Sequence, residues 1–207
     1  MPMTAKKELD AAWGERIKEY GFRKYRGRDA LPIGEDWFGW LGLNTGTRNN
    51  AGAVDVLPIV GVHWKPLAQA YQELNPQLPK SMSPTVSQPL YKLVEGPRNR
   101  AEWRVREGSG EPFQLDQLLD ATVHWGIPFM ESLCHPEVVA DLLRPPSKFN
   151  PNPAVPWKTY PLALVLTGRR SEALDFVRKH ALEVVDKPDM ASKTYLEYAD
   201  RFAERYS

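Results

Sequence analysis

The chain has 207 residues, 27 Lys+Arg against 26 Asp+Glu, a formal net charge of +1, 42% hydrophobic residues and one Cys. That length suffices for a buried core without disulfide or metal staples, and a lone cysteine excludes both an intramolecular disulfide framework and a Cys-rich zinc site. A balanced charge disfavours nucleic-acid coating, which draws on sequence-independent attraction to phosphates. Lys6, Lys7, Glu8, Asp10, Glu15 and Arg16 interrupt the N-terminal apolar residues, so no signal-peptide core is predicted there. The most apolar runs, Val56 to Val62 and Leu162 to Leu166, are far shorter than the roughly 20 residues that span a bilayer. The expectation is a cytoplasmic protein with no membrane partner.

In chain order, Leu9, Ala12, Trp13, Ile17 and Tyr20 recur at helical spacing, and Gly21 supplies a left-handed terminator, which predicts a helix over 5–20. Phe22 to Leu31 is strongly basic and reads as an edge strand. Asp36 to Leu43, with Trp37, Phe38, Trp40 and Leu41, reads as a central strand covered on both faces. Turn formers fill 44–52, and beyond them Val54, Val56, Val60 and Val62 alternate with Asp55, Leu57, Ile59 and His63 as the second arm of a hairpin. Pro58 cannot donate to a ladder, so that strand is expected to bulge or to leave one edge free there.

Pro66 suits the first position of a helix, and Leu67, Ala70, Tyr71 and Leu74 form its apolar stripe, ended by Asn75-Pro76. Two more strands are predicted at Leu90–Val94 and Glu102–Arg106, around a turn at 95–99. From Leu115 the period turns helical. Leu115, Leu118, Leu119 and Thr122 form one stripe, and Val138, Val139, Leu142 and Leu143 form another after Pro136. Six prolines between Arg144 and Pro161 mark an extended connector, and helices follow near 159–167, 171–185 and 192–206. Leu164 to Leu174 reads as a helix–Gly–helix corner like that of a tetratricopeptide hairpin, without a second copy. The expected fold is therefore α+β: an antiparallel sheet of about four to five strands packed against helices, with an all-helical C-terminal extension. Its expected organisation is an α+β domain over 1–144, a proline-rich connector over 145–161 and a helical extension over 158–207 packed on the main domain.

The sequence holds no HExxH, Walker A loop, GxSxG, paired CxxC or EF-hand loop. Gly39, Gly42 and Gly46 lie within and just after a strand, where close packing under tryptophans explains them better than a phosphate loop. Cys134 and His135 are adjacent and do not face each other on a helix, so Cys134 reads as a small buried hydrophobe. Asp55 and His63 share a strand face, yet about 26 Å of extended chain would separate them. His180 reads as a solvated residue of a basic helix, and Trp157 as the most exposed of the seven tryptophans. No catalytic, cofactor-binding or metal-binding residues are assigned.

The strongest recognition feature is basic. Arg16, Lys18, Arg23, Lys24, Arg26 and Arg28 interleave with Tyr20, Phe22 and Tyr25, and arginine and aromatic side chains are common binding anchors. Arg23, Lys24, Arg26 and Arg28 are predicted to steer a protein partner, with Tyr25 as an anchor. The competing explanation is an edge strand kept soluble by its charges. A second basic group, Arg98, Arg100, Arg104 and Arg106, is partly neutralised by Glu102 and Glu107.

The order Tyr20-Gly21-Phe22-Arg23-Lys24, the aromatic strand Trp37 to Leu43, the Val-rich strand ending in His63-Trp64, and Trp125-Gly126-Ile127-Pro128-Phe129 resembles uncharacterised bacterial domains of unknown function, some of whose relatives are immunity proteins. The resemblance spans roughly 5–143. It implies a non-enzymatic binding protein, most concretely an immunity-type inhibitor that occludes a secreted bacterial toxin. Two other classes compete with it: an enzyme using His124, Glu131 and His135 in a cleft, and a scaffold that docks through the C-terminal helices.

Overall fold

The computed structural model describes residues 5–46, 53–78, 82–94, 103–106, 112–150 and 152–207. The chain is α+β and divides into two compact units, one comprising Met1–His63 with Met82–Leu133 and the other Trp64–Ser81 with Cys134–Ser207. The boundaries fall at strand ends and at the 133/134 break, away from the proline-rich connector. The helix predicted after Pro66 and the helix after Pro136 fall in the second, helical unit.

The first unit is built on an antiparallel sheet. Its strands are β1 (Arg23–Tyr25), β2 (Arg28–Ile33), β3 (Trp37–Gly46), β4 (Ala53–Trp64) and β5 (Val86–Pro89), in that spatial order, and a short β6 (Arg104–Arg106) also pairs with β4. The basic segment is two strands joined by a tight turn, with Tyr25 paired to Arg28 across it. β1 is the sheet edge, as its charge predicts. The central β3 is buried from Trp37 to Gly42 on both faces. β4 pairs with β6 over Ala53–Asp55 and with β5 over Ile59–Val62, so on that edge Pro58 sits where β4 passes from one partner to the other and neither of these two ladders needs its missing N–H. The strand expected at Leu90–Val94 lies earlier, at Val86–Pro89, and Leu90–Lys92 is a single 3₁₀ turn. Of the turn expected at 44–52, residues 44–46 extend strand β3 and 47–52 fall outside the described residues, as does the turn expected at 95–99.

Helix α1 (Ala5–Arg16) continues as a 3₁₀ turn to Tyr20 and stops at Gly21, whose φ of +86° needs no Cβ. Its stripe of Leu9, Trp13 and Ile17 is buried, and the Trp13 indole donates to Asp29 of β2 at 3.3 Å. Helix α3 (Pro112–Ala121) runs through a π-turn (Thr122–Gly126) into α4 (Ile127–Ser132). Pro128 explains the widening. Its ring and absent N–H are incompatible with a regular bond to the carbonyl four residues back, and an i→i+5 turn just before it removes the conflict. Gly126 lets this helix approach Val60 and Leu90, while Met130 packs over Gly39. These helices and the even-numbered valines of β4 make the main core.

The second unit is helical: α2 (Lys65–Leu74), α5 (Pro136–Leu143), α6 (Pro156–Leu166), α7 (Arg170–Val184) and α8 (Met190–Tyr206). Pro66 starts α2 and Leu67, Ala70 and Leu74 are buried as predicted. In α5 the buried stripe is Val139, Ala140 and Leu143, with Val138 turned outward. The last residues of the expected connector are helical, since α6 begins at Pro156 and includes Pro161. Gly168, at φ +79°, makes the predicted corner between α6 and α7, which pack against each other. No helix among the described residues is long and apolar enough to cross a membrane.

Candidate functional site

Strand register places the basic residues on two faces. Arg23 pairs with Ala30 and Tyr25 with Arg28, while Ala30 in turn pairs with Trp40 and Pro32 with Phe38. Cross-strand partners share a face, so Arg23, Tyr25 and Arg28 stand with Phe38 and Trp40, opposite the face that Trp13 and Met130 cover. Lys24 points the other way. It forms a 2.8 Å ion pair with Asp29, whose carboxylate also accepts from Trp13 and is 8% exposed. Lys24 therefore neutralises a buried acid and is less free to steer a partner than its three neighbours.

On the outer face, Ala30, Phe38, Trp40 and Met82 form a small core on which Tyr25 and Ile59 pack. The Trp40 indole donates to the Met82 carbonyl at 3.1 Å, and its ring lies over Gly42, which bears out the close-packing reading of that glycine. Tyr25 lies 4.7 Å from Phe38, centroid to centroid. The Arg23 guanidinium sits 5.8 Å over Phe38 and that of Arg26 5.3 Å over Tyr25. Arg23, Arg26 and Arg28 are exposed, and no carboxylate pairs with any of them among the described residues. The result is a fixed aromatic shelf that carries three uncompensated guanidiniums.

The turn that presents them is strained. Arg26 has φ +48° and Gly27 φ +77°, the pair of left-handed residues of a type I′ hairpin. Glycine occupies such a position without penalty; arginine does not.

The remaining candidates are spread over both units. His124, exposed in the π-turn, meets Trp125 edge-on at 5.5 Å. Glu131 is exposed in α4 and His135 precedes α5 in the helical unit. Among the described residues no three His, Cys, Asp or Glu side chains are placed to hold a metal ion. His63 is buried, its Nδ1 2.8 Å from the Ser83 carbonyl, which suits a packed junction residue. Arg98 and Arg100 lie outside the described residues.

His180 differs from the expectation of a solvated side chain, whereas Trp157 is, with Trp125, one of the two tryptophans that are not buried. The His180 and Trp157 rings stack at 3.8 Å, and Tyr195 closes on the imidazole edge-on at 4.5 Å. His180 Nδ1 is 2.9 Å from Glu183, whose carboxyl is held below the usual range chiefly by that hydrogen bond. Charge patterning along α7 suggested a solvated histidine because it carries no information about Trp157, which approaches from α6.

In the same unit, α8 brings Tyr195, Tyr198 and Arg201 toward Lys158 of α6 and the end of α2. The Tyr195 hydroxyl and Arg201 Nη2 are buried without a hydrogen-bond partner. Neither signalled itself in the sequence, since both lie in an ordinary amphipathic helix. No protein-family model, curated protein or solved structure matches the chain.

Proposed function

We propose that the protein is a non-enzymatic binding protein whose basic hairpin engages an acidic protein surface, most concretely as an immunity-type inhibitor that occludes a bacterial toxin. The observation that carries this reading is the shelf of Arg23, Arg26 and Arg28 on Tyr25 and Phe38. Exposed guanidiniums without intramolecular carboxylates attract an acidic partner at long range, and a half-buried tyrosine offers a rigid anchor with little ordering entropy to lose. A hairpin kept soluble by charge alone needs neither the aromatic shelf nor an arginine at a left-handed turn position.

The test begins with the tagged protein in its native cells, recovery of a stoichiometric polypeptide after a high-salt wash, and association kinetics with that polypeptide. Reversal of two charges, Arg23→Glu with Arg28→Glu, is expected to slow association about tenfold or more at low salt, with a smaller change in dissociation. An unchanged association rate removes the hairpin from the interface. A bait that recovers no stoichiometric polypeptide overturns the binding reading.

A further inference from the structure

Where α2, α6 and α8 meet, the helical unit brings two cations together and leaves one buried guanidinium nitrogen without an acceptor among the described residues. Tyr198 donates its hydroxyl to the Lys158 carbonyl, in the first turn of α6, at 2.6 Å. The Lys158 ammonium lies 5.8 Å from the centroid of the same ring, and its hydrogen bond is a long one of 3.4 Å to the Thr194 carbonyl. Arg201 stands three residues beyond Tyr198 on α8, hence beside it on the helix surface. Arg201 Nε donates to the Leu74 carbonyl at 2.7 Å, a capping role at the negative end of α2. That role accounts for Nε and leaves Nη2 buried with no acceptor.

The nearby acids do not compensate. Glu73, next to Leu74, pairs with Arg205. Glu197 is exposed and forms no ion pair with either cation, although its field reaches Lys158. Burial first, and then the charge of Arg201, hold the Lys158 ammonium below the usual lysine range. An unpaired guanidinium nitrogen beside a destabilised ammonium costs stability unless something supplies the missing negative charge.

We propose that Lys158 and Arg201 together hold a small oxyanion, a carboxylate or phosphate group, that accepts from Arg201 Nη2 and the Lys158 ammonium. Guanidinium donors match the spacing of such oxygens, and a lysine beside them adds a mobile charge. The site lies in the helical unit and is independent of the basic hairpin.

The experiment is a titration of the full chain with inorganic phosphate and, separately, acetate, at constant pH and ionic strength, followed by backbone amide NMR shifts. Wild type is expected to show saturable shifts at residues 157–160, 198–202 and 71–74 with at least one of the two anions. Lys158→Met should weaken that binding about tenfold or more while the spectrum stays folded, because Lys158 contributes only one long hydrogen bond to the structure. Arg23→Glu with Arg28→Glu should leave it unchanged. Saturation by phosphate alone assigns a phosphate site, and saturation by acetate points to an acidic side chain or chain terminus. Shifts that are linear with both anions, equal in Lys158→Met, or confined to residues 23–28 overturn the proposal.

Discussion

The hairpin tip permits a quantitative test of the idea that arginine is placed there for recognition at the expense of stability. A non-glycine residue in the left-handed region costs roughly 1–2 kcal/mol, and asparagine bears that cost best. Arg26→Asn creates the Asn-Gly pair that type I′ turns prefer, while it removes a cation–π contact worth about 0.5 kcal/mol at an exposed site. The net expectation is a gain of about 0.5–1 kcal/mol, a rise in Tm of about 1–4 °C for a chain of this size.

Two glycine variants separate strain from packing. A Cβ on Gly27 meets nothing within 4 Å, so Gly27→Ala isolates the backbone penalty at φ +77° and should cost about 1 kcal/mol. A Cβ on Gly14 also meets open space, but inside α1 and without a positive φ. Gly14→Ala should therefore stabilise by up to about 1 kcal/mol through helix propensity. Thermal and urea unfolding of the three variants supply the assay. A stability loss in Arg26→Asn, or a neutral Gly27→Ala, refutes the turn assignment. If Arg26→Asn is more stable and also associates more slowly with the partner, the arginine is retained for binding.

Other consequences concern packing and pH. Gly61→Ala places a Cβ into the Val86 carbonyl and 2.7 Å from Ser87 Cα, so β5 must move; a loss of about 3 kcal/mol, at the top of the overpacking range, is expected in chemical denaturation. Gly39→Ala should cost less, about 1–2 kcal/mol, because the nearest atom is the flexible Met130 sulfur. Asp189 caps α8 by accepting from the Ser192 hydroxyl at 2.7 Å and the Ser192 N–H at 2.9 Å, bonds that hold its carboxyl below the usual range. A depressed carboxylate contributes stability that is present above its unfolded pKa and is lost as pH falls through the folded one. Asp189→Asn should accordingly flatten part of the acid limb of the Tm–pH curve below about pH 4. For Lys158 the slope has the same sign but falls in the alkaline range, and it is the charged form that the fold disfavours. A lysine depressed in the folded state binds fewer protons there than unfolded, so stability rises as pH climbs from the folded value to the ordinary lysine value. Lys158→Met should abolish that rise.

What was legible in the sequence was whatever one strand or one helix encodes by itself. The even-numbered valines of β4, the stripe of α2 and the terminators Gly21 and Gly168 follow from period and backbone chemistry, and the structure places them as expected. The displaced strand Val86–Pro89 contains no run of β-branched residues; pairing with the buried, glycine-bearing β4 defines it. His180 was misjudged for the same reason, because a helix's charge pattern cannot reveal an indole arriving from the preceding helix. Lys24 and Tyr25 are adjacent in the basic run, yet register sends one to Asp29 and the other to Phe38. Composition groups the cations, and only the alternation of the strand separates them.

The two functional proposals rest on places where local consistency fails. Capping, alternation and apolar stripes agree with the fold along most of the chain, as a sequence that specifies one structure requires. Arg26 departs from that agreement through backbone conformation, and Arg201 through an unanswered donor. The first departure lies on an edge that aromatic packing holds rigid, the second in a helix junction where Tyr198 holds Lys158 in place. Each exception is surrounded by well-satisfied structure, so loose packing does not account for it. Both residues are arginines that lack an anionic partner among the described residues. An acidic ligand would engage both, by attraction to the charge that the strained turn presents and by donor satisfaction at the helix junction.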